Sequence, residues 1–80
     1  MRTVVITGSA RGLGLEMAKV FRQNDLNVII SDLSEEKLKE AKEELKKIES
    51  DAKIKYFVCD VTKSKDVSKL IKSTKKFSSY

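Results

Sequence analysis

Short apolar runs alternate with stretches of helical periodicity along this chain, three times over. Val4, Val5 and Ile6, inside Thr3 to Thr7, suit a strand buried on both faces. From about Gly12 to Asn24 the period lengthens. Leu13, Met17 and Phe21 recur at i, i+4 and i+8 with Val20 beside them, which predicts a helix with that stripe as its apolar side. Asn24-Asp25 breaks it, and Asn27 to Asp32 forms a second strand that ends in a carboxylate. Ser34 is a fitting N-cap for the next helix, with Glu35 and Glu36 in the first turn where the dipole favours them. Leu38, Ala41, Leu45 and Ile48 form its apolar stripe. Its other face holds like-charge neighbours, Glu36 with Glu40 and Lys42 with Lys46, and reads as simply solvated. Ile54 to Val61 predicts a third strand. A last helix starts near Thr62 or Ser64, with Val67, Leu70, Ile71, Thr74 and Phe77 on its apolar side.

The order β-α-β-α-β-α predicts an α/β fold, a Rossmann-like parallel sheet with right-handed crossovers and strand order 3-2-1. The first two helices then cover one sheet face. A doubly wound fold continues with a fourth strand beside the first, and the pattern here stops before one. The first strand is therefore expected to present an unpaired edge flanked by apolar side chains, open to self-association or to a complementing chain.

Composition narrows the classes. Eighty residues make one small domain with a modest core. Lysine and arginine outnumber aspartate and glutamate 17 to 12, giving a net charge of +5. The lysines are scattered along amphipathic helices with no aromatics interleaved to stack bases, which argues against nucleic acid. Cys59 is the single cysteine and histidine is absent, so neither a disulfide within the chain nor a cysteine or histidine metal site is expected. Cys59 reads as a small buried hydrophobe, and Tyr56 and Phe57 as strand packing. No apolar run reaches membrane-spanning length, and Met1 leaves no room for a signal peptide before the first strand. A cytoplasmic protein is the expectation.

Three features carry chemistry, each at the carboxyl end of an expected strand, where open α/β sheets bind ligands. Gly8, Gly12 and Gly14 follow the first strand and open the first helix. Such glycines allow a tight turn and close backbone approach, while the helix N-terminus faces an anion. Asp32 ends the second strand, 18 residues beyond Gly14. A carboxylate there can accept hydrogen bonds from the adenosine ribose of NAD and repels the 2′-phosphate of NADP. Asp60-Val61 ends the third. Each has a plainer reading: an ordinary βα turn, a helix cap and a helix-terminal carboxylate.

Together, Thr7-Gly8-Ser9-Ala10-Arg11-Gly12-Leu13-Gly14, Asp32 and Cys59-Asp60-Val61-Thr62 resemble the short-chain dehydrogenase/reductase family, whose glycine motif is TGxxxGxG. The resemblance covers the whole chain. It implies that residues 1–80 form a partial NAD(P)-binding Rossmann domain, with Gly8, Ser9, Arg11, Gly12, Leu13 and Gly14 around the pyrophosphate. Leu13 would offer its backbone N–H and pack under the cofactor, Asp32 would hold the ribose, and Leu33 would border the adenine. The Asp60 side chain would take the adenine amine and the Val61 N–H the ring. A basic residue at Arg11 binds a 2′-phosphate in some relatives, yet Leu33 stands directly after Asp32 where such relatives often place a second cation. NAD is therefore expected ahead of NADP. The family's later Asn-Asn-Ala-Gly stretch, catalytic Ser and Tyr-x-x-x-Lys have no counterpart: Tyr56 is followed four residues on by Asp60, and Tyr80 is the last residue. No catalytic residue is assigned. The expected function is the dinucleotide-binding part of an oxidoreductase of alcohols and carbonyls, inactive by itself. The alternative is a non-catalytic dinucleotide-binding or interaction module that uses the free edge.

Overall fold

The computed structural model describes residues 2–77. Strands β1 (Thr3–Thr7), β2 (Asn27–Asp32) and β3 (Ile54–Val58) alternate with helices α1 (Gly12–Gln23), α2 (Glu35–Lys46) and α3 (Ser64–Phe77). The three strands are parallel and lie in the order β1-β2-β3, the expected 3-2-1 seen from the other edge.

β2 lies in the middle, and its composition follows. Val28, Ile29 and Ile30 are all fully buried, as a strand covered on both faces requires. Val28 and Ile30 turn toward α1 and α2 and join Ile6, Leu15, Ala18, Leu38, Ala41 and Leu45 in the larger core. Ile29 turns the other way, onto Cys59 and Leu70, with Phe57 and Val67 against them. The first two helices thus share one face, as expected, and α3 takes the other. Cys59 is a buried free thiol and Tyr56 packs on the larger core, also as read from the sequence.

α1 departs from its expected orientation. Its buried residues are Leu15, Ala18 and Arg22, while Leu13 is 77% exposed and Met17 and Val20 are exposed with it. The stripe that best fits helical spacing faces away from the core; only Phe21 of that set packs against it. The side chain facing inward is a cation. Arg22 Nε donates to Leu45 O at 2.7 Å and to Ile48 O at 3.2 Å, and Nη1 donates to Ala52 O at 2.7 Å. These are carbonyls at and beyond the C-terminus of α2, where unpaired acceptors and the helix dipole favour a positive charge. The guanidinium therefore fastens the α2–β3 connection from beneath.

α1 itself ends in a Schellman turn. Leu26 N–H donates to Phe21 O and Asp25 N–H to Arg22 O, with Asp25 taking the left-handed position at φ 59°.

β3 also ends sooner than expected. Pairing stops at Val58 rather than Val61, because Asp60 and Thr62 turn the chain through their own hydrogen bonds. On α3, Leu70 is buried and Ile71 is 53% exposed; Tyr80 and the side chain of Phe77 lie outside the described residues. The α2 surface carries two opposite-charge pairs, Glu35 with Lys39 at 3.4 Å and Glu43 with Lys46 at 3.3 Å. All four side chains are exposed, so each pair contributes little.

Candidate nucleotide site

Parallel strands place their carboxyl ends on one side of the sheet, and hydrogen bonds lace those ends together here. Ser9 does much of this work. Its N–H donates to Ser31 O at 3.1 Å, its hydroxyl donates to Ile6 O at 2.7 Å, and the same oxygen accepts the Ser31 N–H at 3.0 Å. Ser9 is fully buried. Its side chain is spent bracing the glycine turn on β2. On the far side, Cys59 N–H donates to Asp32 O at 3.0 Å and ties the end of β3 to β2.

The glycines answer to geometry. Gly8 and Gly12 have φ of 62° and 63°, the left-handed region that suits glycine. Gly14 is required by space instead. A Cβ there would lie 2.6 Å from Gly8 O and 2.9 Å from Ser9 Cα, so the first turn of α1 packs directly on the strand-to-helix turn.

The two nearby helix N-termini differ. α2 is capped by Ser34 Oγ, which accepts from Lys37 N–H at 3.3 Å, and it carries Glu35 and Glu36 in its first turn. The N-cap of α1 is Arg11, with no side-chain hydrogen bond and no acidic residue in the first turn. The N–H groups at the start of α1 thus keep their donors, and the positive end of the helix dipole, for a group from outside.

Asp32 is not the cap of α2; that plainer reading fails because Ser34 takes the role. Its Oδ2 accepts the Ala10 N–H at 3.1 Å and its Oδ1 accepts the Leu33 N–H at 2.8 Å. An ionised carboxylate offers about four acceptor positions, so about two remain for hydroxyl donors. A cavity of about 220 Å³ opens beside it, lined by Ala10, Arg11, Asp32, Leu33, Ser34 and Lys37. The structure therefore brings Arg11, Asp32 and Leu33 together as the sequence suggested, and adds Lys37. Sequence reasoning missed Lys37, whose one signal was its place three residues after the Ser34 cap, in the first turn of α2.

Asp60 sits apart from that cavity, in a turn of its own. Its Oδ1 accepts from the Thr62 hydroxyl at 2.6 Å and from the Thr62 N–H at 2.9 Å. The Thr62 hydroxyl first, then the Thr62 N–H, hold the Asp60 carboxyl below its ordinary value of 3.8. Asp60 N–H donates to Asp66 Oδ2 at 3.0 Å. Val61 is exposed beside it. Among the described residues no His, Cys, Asp and Glu gather into a group able to hold a metal ion, and no helix is long and apolar enough to cross a membrane.

A family model described as short chain dehydrogenase matches residues 2–78. The chain is 40% identical over 68 residues to the chloroplastic chlorophyll(ide) b reductase NOL of Oryza sativa subsp. japonica, covering 85% of this chain and 20% of that protein. Among solved structures it superposes on levodione reductase with a TM-score of 0.88 at 28% identity, covering 95% of this chain and 30% of that one. It also superposes on an alcohol dehydrogenase from the archaeon Thermococcus sibiricus complexed with 5-hydroxy-NADP, with a TM-score of 0.85 at 26% identity and 32% of that chain covered. The chain spans about a fifth to a third of the length of these relatives.

Proposed function

The chain belongs to the short-chain dehydrogenase family, and from that premise we propose that it holds the adenosine half of a nicotinamide dinucleotide for an oxidoreductase of alcohols and carbonyls. The N–H groups opening α1, reached past Gly8, Ser9, Gly12 and Gly14, receive the pyrophosphate, with Leu13 at its edge. Asp32 receives the ribose hydroxyls, Leu33 borders the adenine, and Asp60 and Val61 offer a carboxylate and a backbone N–H to its edge. NAD is the preferred form. Hydride transfer to or from a carbonyl is the chemistry such a cofactor supplies. We assign none of these 80 residues a catalytic role, and we expect them by themselves to bind a dinucleotide without turning over substrate.

The observation that supports this most is the contrast between the two helix N-termini. α2 satisfies its own with Ser34 and two glutamates, while α1 leaves its first turn uncapped above glycines held at positive φ. Calorimetric titration tests the reading. NAD⁺ and ADP-ribose should bind alike and nicotinamide mononucleotide should not, because the adenosine end carries the affinity. Binding of nicotinamide mononucleotide alone, or NADH formation by the purified chain with an alcohol, contradicts it.

A second reading rests on the other flank, a non-catalytic dinucleotide-binding module that takes another polypeptide. Among the described residues β1 pairs only with β2. Val5, Leu13, Met17 and Val20 are exposed, and α1 turns the last three away from the side on which Lys19 and Arg22 reach α2. The fitting partner adds a parallel strand at β1 and an apolar helix against α1, as chain equivalent to the relatives' unmatched length could supply. A strictly monomeric protein that captures no such segment of a relative in sedimentation excludes it.

A further inference from the structure

Lysines occur on every helix, but their balance with acids is uneven. Residues 1–62 carry 11 lysines and arginines against 11 acids, while residues 63–80 carry 6 lysines against Asp66 alone. The whole net charge of +5 therefore belongs to the segment that contains α3. α2, by contrast, sets four lysines among five glutamates. Within α3, Lys65, Lys69 and Lys72 stand at i, i+4 and i+7, which places them on one ridge of the helix. The sequence continues that spacing at Lys76. Leu70, on the far side of the helix, is buried with Ile29 and Cys59, so the ridge faces away from the sheet. All three ridge lysines are exposed and make no ion pair among the described residues. With Ser64 and Ser68 they line a hollow of about 280 Å³ that has no acid in its walls. Asp66 is engaged elsewhere: its Oδ2 accepts the Asp60 N–H at 3.0 Å, beyond the end of β3.

We propose that the lysine ridge of α3 is a docking surface for an anionic lipid membrane, which the protein meets at its surface. This goes beyond the dinucleotide reading and does not depend on it. Clusters of about four to eight lysines on an amphipathic helix suit the negative headgroups of a bilayer, each adding attraction within a Debye length. Every cation of the segment is a lysine. Arginine's rigid fork serves bidentate recognition of a nucleic-acid phosphate or base, whereas lysine is a hydrated point charge suited to a diffuse anionic surface. The walls of the hollow add serine hydroxyls, not rings on which bases could stack. Ile71, exposed on the flank of the ridge, offers an apolar side chain to the headgroup layer. Leu70 and Val67 are already packed on the sheet, so electrostatics supplies most of the attraction and salt weakens it.

Co-sedimentation of the whole chain with vesicles tests this, using phosphatidylcholine alone and phosphatidylcholine mixed with phosphatidylserine. The chain should bind the mixed vesicles, ignore the neutral ones, and be released as salt rises from about 0.05 M to about 0.5 M. Lys65→Gln/Lys69→Gln/Lys72→Gln should weaken binding on the order of a hundredfold, the combined weight of three lysines at an anionic surface. Lys39→Gln/Lys46→Gln/Lys47→Gln removes the same charge from α2 and its C-cap, and should stay within about threefold of the original chain. Lys65→Arg/Lys69→Arg/Lys72→Arg keeps the charge and should keep binding. All the exchanged side chains are exposed, so the variants keep their fold, which thermal melts check. Equal losses in the two glutamine triples would mean that net charge alone attracts the chain, and would overturn the ridge. Equal binding to neutral vesicles, or no binding to the mixed ones, overturns it as well. Tighter binding to a single-stranded or duplex oligonucleotide than to the mixed vesicles, lost in the α3 glutamine triple, assigns the ridge to nucleic acid and overturns the lipid proposal.

Discussion

Asp32 Oδ2 accepts the backbone N–H of Ala10 at 3.1 Å, so the carboxylate that ends β2 is braced against the glycine turn that follows β1. Ser9, one residue earlier, ties the same turn to Ser31. The turn and the acid are one unit: whatever positions the pyrophosphate donors also positions the ribose acceptor. Asp32→Ala should lower stability by about 1 kcal/mol, since two backbone donors lose a charged acceptor at a partly exposed site, and NAD⁺ affinity should fall further than that. Thermal melts beside calorimetry check it. Unchanged NAD⁺ affinity with lowered stability would leave Asp32 a purely structural brace.

Gly14→Ala is a steric test. The added Cβ meets Gly8 O at 2.6 Å and Ser9 Cα at 2.9 Å, both backbone, so the turn must move. A loss of about 1–3 kcal/mol is expected for such overpacking, together with loss of NAD⁺ binding. Gly12→Ala meets nothing within 4 Å and is penalised only through its φ of 63°, so it should cost about 1 kcal/mol. Urea unfolding of both variants should reproduce that order.

Arg22→Leu removes the donor that satisfies Leu45 O, Ile48 O and Ala52 O. Leu45 O keeps the Ile48 N–H at 3.1 Å, but Ile48 O and Ala52 O are stranded, at about 1–3 kcal/mol each, part of which solvent recovers at this partly open loop. A total loss of about 2–4 kcal/mol is expected in urea unfolding. A neutral result would show that the α2–β3 connection is held by its own turns.

Thr62→Val should return the Asp60 carboxyl toward its ordinary 3.8, since the Thr62 hydroxyl is the main cause of its depression. The sign follows from linkage. A carboxyl whose folded value lies below its unfolded value adds stability above the unfolded value, and that stability fades as the pH falls through the folded value. The contribution of Asp60 is thus complete above pH 3.8 and lost in more acidic solution. Carbon-detected NMR titration of the Asp60 carboxyl, in both proteins, reads the shift directly. Identical midpoints would contradict the assignment.

Much of this fold was legible because its strands are short apolar runs with sharp ends. Thr3–Thr7 and Asn27–Asp32 fall where the pattern places them, and Ser34 caps α2 as its chemistry suggests. α1 misled because it bears two competing faces. Leu13, Met17 and Val20 have the cleaner spacing, but Leu15 and Ala18 fit the sheet. The third inward position belongs to Arg22, whose burial depends on carbonyls more than twenty residues away. No local pattern encodes that. β3 ended early for a similar reason: the run of β-formers continues through Val61, but Asp60 and Thr62 prefer each other to the ladder. In the site, the glycines and Asp32 were visible as residue types at strand ends. Lys37 was not, because its proximity to Arg11 exists only once the first turn of α2 is built above the glycine turn.

The most direct test is an amide NMR titration of the isotope-labelled chain with NAD⁺. The predicted result is saturable shifts at Gly8, Gly12, Leu13, Gly14 and Asp32 that follow one binding curve, with Asp60 and Val61 moving on the same curve. A dispersed spectrum that NAD⁺ leaves unchanged, or shifts confined to residues away from the three strand ends, would contradict a dinucleotide site at the carboxyl edge of this sheet.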